Sequence, residues 1–313
     1  MADAAIASPA SAWGRATAWF WTYEIPSVFM AAAIYGAWFL LIWFHEYVPY
    51  WLMIPLGAYI IAWQFSFQHE AIHALRRWPR WLRYAICLPP LGLWFPFPAY
   101  RRSHSIHHVN MNITVPGKDP ETYYVPKDQW RKLSALSRGV YLFNQTLVGR
   151  LAIGPLIRLY KLARREGTRI INRDYVNVSS WLWHVPLVAG LMYFVTMIAG
   201  MAWWEYVFLI AYPGFSLGLL RAFYEHRWGE RPKQRTAILE ASWPMSLLFL
   251  WNNIHAVHHL HPTMPWYEIP GFYRQNRDRI LEHNGHFLIP GGYLEEVRRW
   301  LLKPVFRPIH PKY

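Results

Sequence analysis

The chain has 313 residues, 54% of them hydrophobic and 18% aromatic, with a formal net charge of +14 and a single cysteine, Cys87. One cysteine excludes an intrachain disulfide framework. A basic balance alone suits nucleic acid, acidic partners or anionic membranes, but the placement of the charge disfavours nucleic acid: there is no Lys or Arg from Pro26 to Leu75, and none from Trp181 to Leu220. Mean hydropathy is only +0.03, so much of the chain lies outside any lipid.

Residues 1–25 carry one basic residue, Arg15, and lack the charged start, apolar run and cleavage site of a signal peptide. Residues 26–44 and 51–68 are uncharged, and at about 1.5 Å per residue each is long enough to cross a bilayer core of about 30 Å. Residues 181–201 and 203–223 repeat the plan. Both connecting segments lack Lys and Arg, which predicts two helical hairpins turning on the non-cytoplasmic side. Residues 74–180 and 224–313 are then cytoplasmic, as are both termini. Two interrupted apolar stretches, 84–100 and 238–251, read as re-entrant or interfacial segments. The segment GVYLFNQTLVGRLAIGPLIRLY reads as an amphipathic surface helix. The expected fold is all-α: a single domain over 1–313, with four transmembrane helices and a cytoplasmic helical cap.

Of fifteen histidines, eight fall into three groups: His69 and His73 in HEAIH; His104, His107 and His108 in HSIHH; His255, His258 and His259 in HAVHH. Residues at i, i+3 and i+4 share a helical face, so each group presents its imidazoles together. HEAIH alone matches the zinc-protease pattern, with Glu70 as base. Eight histidines exceed what one zinc uses, however, and the count predicts two metals. Imidazole suits iron, copper, zinc or nickel, so spacing does not choose among them. A transporter or sensor would place its ligands within the spans instead.

These three groups, in this order around paired apolar spans, resemble the histidine boxes of the membrane fatty-acid desaturases and their hydroxylase and ketolase relatives. NNIHAVHHLHPTMPWYEIP, residues 252–270, is similar to the third-box region of bacterial members. The resemblance implies two iron ions held by histidines alone, O₂ as co-substrate, and insertion of a double bond into a fatty acyl chain. Hydroxylation or ketone formation on a long apolar lipid, including a carotenoid, is the alternative. It also implies a ninth ligand, His226, after the fourth span. Where one branch has an Asn one turn before that His, this chain has Ala222.

Glu70, Glu225 and Asn253 are candidates to hydrogen-bond the ligands from outside. His45, His184, His261, His283, His286 and His310 are not expected to bind metal. The chain has no dinucleotide fingerprint, iron–sulfur cysteines or haem signature. Electrons must therefore come from an external donor such as a ferredoxin or cytochrome b5. The resemblance and the charge pattern together place the protein in a membrane, expected to be a bacterial inner membrane, with lipid as substrate, no nucleic-acid partner and the metal site facing the cytoplasm.

Overall fold

The computed structural model describes residues 18–109 and 111–313, with only the backbone of Ala18, Ala222 and Phe223. Arg15, on which the signal-peptide reading bears, and the side chain of Ala222 lie outside the described residues. The chain is mostly helical, in keeping with the all-α expectation. A short α1, Ala18–Thr22, leads into α2, Ile25–Trp43, and α3 runs from Tyr50 to His73. Next come α4, Arg80–Cys87, α5, Phe97–Val109, and the short α6, Lys127–Lys132. α7, Ala135–Phe143, and α8, Leu147–Ile171, follow. The expected amphipathic helix is thus parts of two helices, broken between Asn144 and Thr146, where the Thr146 side chain caps α8 by accepting from Gly149 N; Ser134 caps the start of α7 by accepting from Ser137 N.

α9, Val178–Tyr193, continues into a π-turn at 194–198. The return segment starts as α10, Trp203–Glu205, widens into a second π-turn at 206–211 and ends as α11, Tyr212–Tyr224. By length and composition, two helices are apolar enough to cross a membrane, Ile25–Trp43 and Val178–Ile198. The other two expected spans fall outside that measure. α3 brings Gln64, Gln68, His69 and Glu70 into its last turns, and the return segment is divided by its π-turn.

α3 lies at the centre, packed against α2, α11 and the second π-turn, and α8 flanks α11. Small residues make the closest approaches: a Cβ on Gly214 would sit 2.3 Å from Ile61 Cβ, and one on Gly57 would sit 2.8 Å from Ile210 Cγ1. Leu41, Ile42, Met53, Ile61 and Ile210 fill the core between these helices. The outer surfaces of α2 and α9 keep large apolar side chains exposed, among them Phe29, Leu40, Leu182 and Trp183. Exposed apolar faces of this extent mark a surface made for lipid or a partner.

The stretch after α4 has no regular structure, yet its carbonyls are satisfied from neighbouring helices. Gln68 Nε2 donates to Cys87 O at 2.8 Å, Gln64 Nε2 to Pro89 O at 2.6 Å, Tyr206 Oη to Leu91 O at 2.7 Å, and His184 Nε2 to Leu93 O at 2.8 Å. Irregular backbone among apolar helices needs such internal partners, because lipid offers none. The Gln pair on α3, unusual in an apolar helix, thereby has a structural role.

The polar end of the bundle is built by the C-terminal third of the chain. β1, Ile238–Leu239, pairs in parallel with β2, Leu288–Ile289. Between them lie α12, Trp243–Leu248, α13, His255–Leu260, and α14, Ile269–His283; α15, Gly292–Trp300, follows. Ile254, Val257, Ile269, Phe272 and Ile280 form the apolar cluster that seats α13 against α14. The 238–251 stretch is therefore a strand and one short helix, with Glu240 paired to Arg277 at 2.7 Å.

Candidate metal centre

The last turn of α3 carries His69 and His73, α5 carries His104, His107 and His108, and α13 carries His255, His258 and His259. His226 follows α11 in an extended bridge to Thr236. All nine converge, in two adjoining groups. The first holds His69, His73, His104, His108 and His258; the second holds His107, His226, His255 and His259. Within each group the nearest ring nitrogens lie within 4.8 Å of one another.

Neither three-histidine box stays together. In both, the i and i+4 residues enter one group and the i+3 residue enters the other. Helix geometry explains the division. At 3.6 residues per turn, i+4 is rotated about 40° from i and i+3 about 60° the other way, so neighbouring positions diverge by about 100°. One box therefore serves two centres.

The hydrogen bonds orient the rings. His107 Nδ1 is 2.9 Å from Asp119 Oδ1, and His104 Nδ1 is 2.8 Å from Glu121 Oε1. His226 Nδ1 is 3.2 Å from Arg235 O, and His255 Nδ1 is 3.0 Å from Asn252 Oδ1. These acceptors fix the proton on Nδ1 in each ring, leaving Nε2 as a lone pair. Yet the Nε2 atoms of His107 and His255 both lie 3.0 Å from His226 Nε2. Lone pairs at that distance repel unless a cation lies between them. Metal–nitrogen bonds of about 2.1 Å meeting near 90° give a nitrogen separation of about 3.0 Å, so the donor set fits an imidazole-bound transition metal. His104 Nε2 and His73 Nε2, buried without hydrogen-bond partners, fit the same demand in the first group.

Of the outer candidates, Glu225 lies 3.6 Å from His255 Nδ1 and pairs with Arg221 at 3.0 Å. Burial pushes its carboxyl up to about 7, against the pull of Arg221. Glu70 instead accepts from Trp266 N at 2.9 Å, tying α3 to the segment after α13; its contact is with backbone, not an imidazole. Burial pushes Glu70 up to about 8. Asn253 points away from the site, donating to Leu239 O at 2.7 Å. Its neighbour Asn252 occupies the position expected of it, with Nδ2 3.2 Å from His69 Nδ1 and Oδ1 3.0 Å from His255 Nδ1. The register is set by a turn at Leu250 and Trp251, whose φ values of 48° and 59° are costly for bulky side chains.

Asp119 and Glu121 were missed by motif reading. A signal for them exists: they are the only acidic residues between Ala74 and Lys127, just beyond the second box. The histidines not assigned to metal stay apart. His45 and His184 bond backbone carbonyls, and His261 packs its ring 4.9 Å from Phe272.

Asn252→Ala should weaken metal binding about tenfold by freeing the Nδ1 proton of His255. Asn253→Ala should cost about 1 kcal/mol of stability and leave metal affinity unchanged. Chelator competition beside thermal melts checks both.

Residues 46–290 match the family model described as fatty acid desaturase. The chain belongs to the fatty acid desaturase family. No curated protein matches it. As a desaturase-family member it is a membrane-associated oxidoreductase of lipid metabolism, and such enzymes generally use two irons with O₂. The two histidine groups supply the donors that such a pair requires.

Burial lowers His73 and His226 to about 3 and lowers His69, His104, His108, His255, His258 and His259 as well; neighbouring imidazoles add to it, joined by Arg221 at His69, while Glu121 partly offsets it at His104. In His107 burial also opposes charge, but Glu121, Asp119 and Glu225 outweigh it and raise the pKa. Eight lowered imidazoles against three raised groups, His107, Glu70 and Glu225, make the unfolded chain bind more protons below about pH 6.5, where its imidazoles titrate. The metal-free protein should accordingly melt at lower temperature at pH 5 than at pH 7.5, with stability still falling towards pH 3.

Proposed function

We propose that this protein inserts a double bond into a fatty acyl chain, using O₂ and two iron ions held by the nine histidines. The observation that carries the reading is the convergence of His69, His73, His104, His108 and His258 beside His107, His226, His255 and His259. When bound, the iron pair would activate O₂ for removal of hydrogen from a methylene. The protein's own contribution is to orient the rings through Asp119, Glu121 and Asn252, to keep most imidazoles neutral by burial, and to hold the chain in a neighbouring cleft.

That cleft runs between α3, α5 and α11, with Phe65, Phe95 and Phe215 in its walls and a cavity of about 120 Å³. Tyr100 in its lining lies beside His104, the rings tilted by 35° with centroids 5.7 Å apart. An apolar chain entering there comes within reach of the histidines. Electrons would come from an external protein such as a ferredoxin or cytochrome b5, to which the basic cytoplasmic face is suited. The membrane arrangement we favour has four spans in two hairpins, histidines and termini on the cytoplasmic side of a bacterial inner membrane. Its support is the absence of Lys and Arg around both hairpin turns. A zinc-protease reading lacks support at Glu70, which is bonded to Trp266 N, and at HEAIH, whose histidines join three others.

Lipid profiling of a bacterial host expressing the wild type or His258→Ala tests the proposal. Acyl chains lighter by two hydrogens only with the wild type are the expected result. Chains gaining one oxygen would make the enzyme a hydroxylase, and identical profiles would count against lipid oxidation.

A further inference from the structure

His226 is the one imidazole of the nine that no helix carries, so its place depends on the contacts around it. Two of these come from a pair of buried tyrosines. Tyr123 Oη donates to His226 O at 2.7 Å, and Tyr124 Oη accepts from Trp228 N at 3.0 Å. The tyrosines close the segment that begins with Asp119 and Glu121, the carboxylates beside His107 and His104. One short stretch thus bears on three of the nine histidines.

The chain after α15 holds that stretch in place. Val305 N donates to Gln145 O at 2.8 Å, just before α8. Val125 N then donates to Pro308 O at 2.8 Å, His310 N to Val125 O at 3.0 Å, and Lys127 N to Tyr313 O at 3.1 Å, which sets Val125 and Ile309 in a parallel bridge. The side chains add to the backbone pairing. The Phe306 ring lies parallel to that of Tyr123 with centroids 6.0 Å apart, and His310 meets Tyr124 edge-on at 5.2 Å and Trp228 at 6.1 Å. His310 is fully buried, and its Nδ1 accepts from Lys312 N at 3.1 Å and Tyr313 N at 3.2 Å. Packed rings restrict one another, so the tyrosines cannot turn while this segment is in place.

Resting on the two-iron reading of the histidines, we propose that residues 305–313 are a strap that positions His226: Phe306 and His310 hold Tyr123 and Tyr124, and these hold the backbone that carries the ligand. The effect falls unevenly on the two groups. In the group of four, His226 depends on this segment through Tyr123 and His107 through Asp119; in the group of five, only His104 does, through Glu121. Ligands that lose the groups orienting them typically lose about 10- to 100-fold in metal affinity. Loosening the strap therefore weakens one metal site before the other.

The test is iron release. Protein in neutral detergent, loaded with two iron(II) ions under anaerobic conditions, is challenged with excess ferrozine. In Phe306→Ala and in Tyr123→Phe, one iron should leave about tenfold faster than from the wild type and the other at the wild-type rate. Tyr123→Phe keeps the ring and removes only the hydroxyl that reaches His226 O, so it tests the contact even where Phe306→Ala fails to fold. His107→Ala, which removes a ligand from the group of four, provides the cross-check: adding Tyr123→Phe to it should not speed release of the iron that remains. Wild-type release of both irons from Tyr123→Phe, equal acceleration of both, or faster release in the double variant would overturn the proposal while leaving the two-iron reading standing. A wild type that holds fewer than two irons removes that reading, and the proposal with it.

Discussion

His107→Ala is expected to reduce bound iron from about two ions per chain to about one and to lower lipid oxidation by about a thousandfold or more. His107 belongs to the group of four, and its loss leaves only His226, His255 and His259. It also leaves Asp119, 4% exposed, without the imidazole that shares its proton. His73→Ala should act differently. It belongs to the group of five, and the four imidazoles that remain still satisfy a metal. Iron analysis of the two purified variants should therefore differ, with His73→Ala retaining more metal than His107→Ala. Equal loss from both would contradict the division into five and four.

Asp119→Asn should weaken iron binding by about 10- to 100-fold. The carboxylate does three things at once. One oxygen accepts from His107 Nδ1 and from Glu121 N at 2.9 Å, and the other accepts from Thr114 N at 2.7 Å. An amide of the same shape keeps part of the loop geometry but loses the charge that makes the His107 ring a stronger donor to metal. Asp119→Ala removes the loop contacts as well and should also lower the melting temperature, by an amount set by about 1–3 kcal/mol for the orphaned donors. Iron competition against a graded chelator, run beside thermal melts, separates the two effects. Metal affinity unaltered in Asp119→Asn would assign the residue a purely structural role.

The chemistry-bearing histidines were legible because their signal is local. HEAIH, HSIHH and HAVHH each put imidazoles on a helical face by spacing alone, and the apolar blocks free of Lys and Arg indicated where those helices lie. The basic segments likewise marked the polar end of the bundle, and the two π-turns were invisible because they change the local pitch without changing composition.

The partners of the histidines were legible only in part. Adjacent asparagines cannot be ranked by proximity in sequence: the left-handed turn at Leu250 and Trp251 decides that Asn252 enters the site and Asn253 supports Leu239. Glu70, next to His69 in sequence, is rotated about 100° from it on α3 and meets Trp266 instead. The sequence by itself determined which imidazoles are available and that they exceed one metal's needs, since both follow from residue type and helical period. Tertiary structure alone decided which imidazoles share a centre, because that depends on how the three helices cross, and on which side of each box His226 arrives.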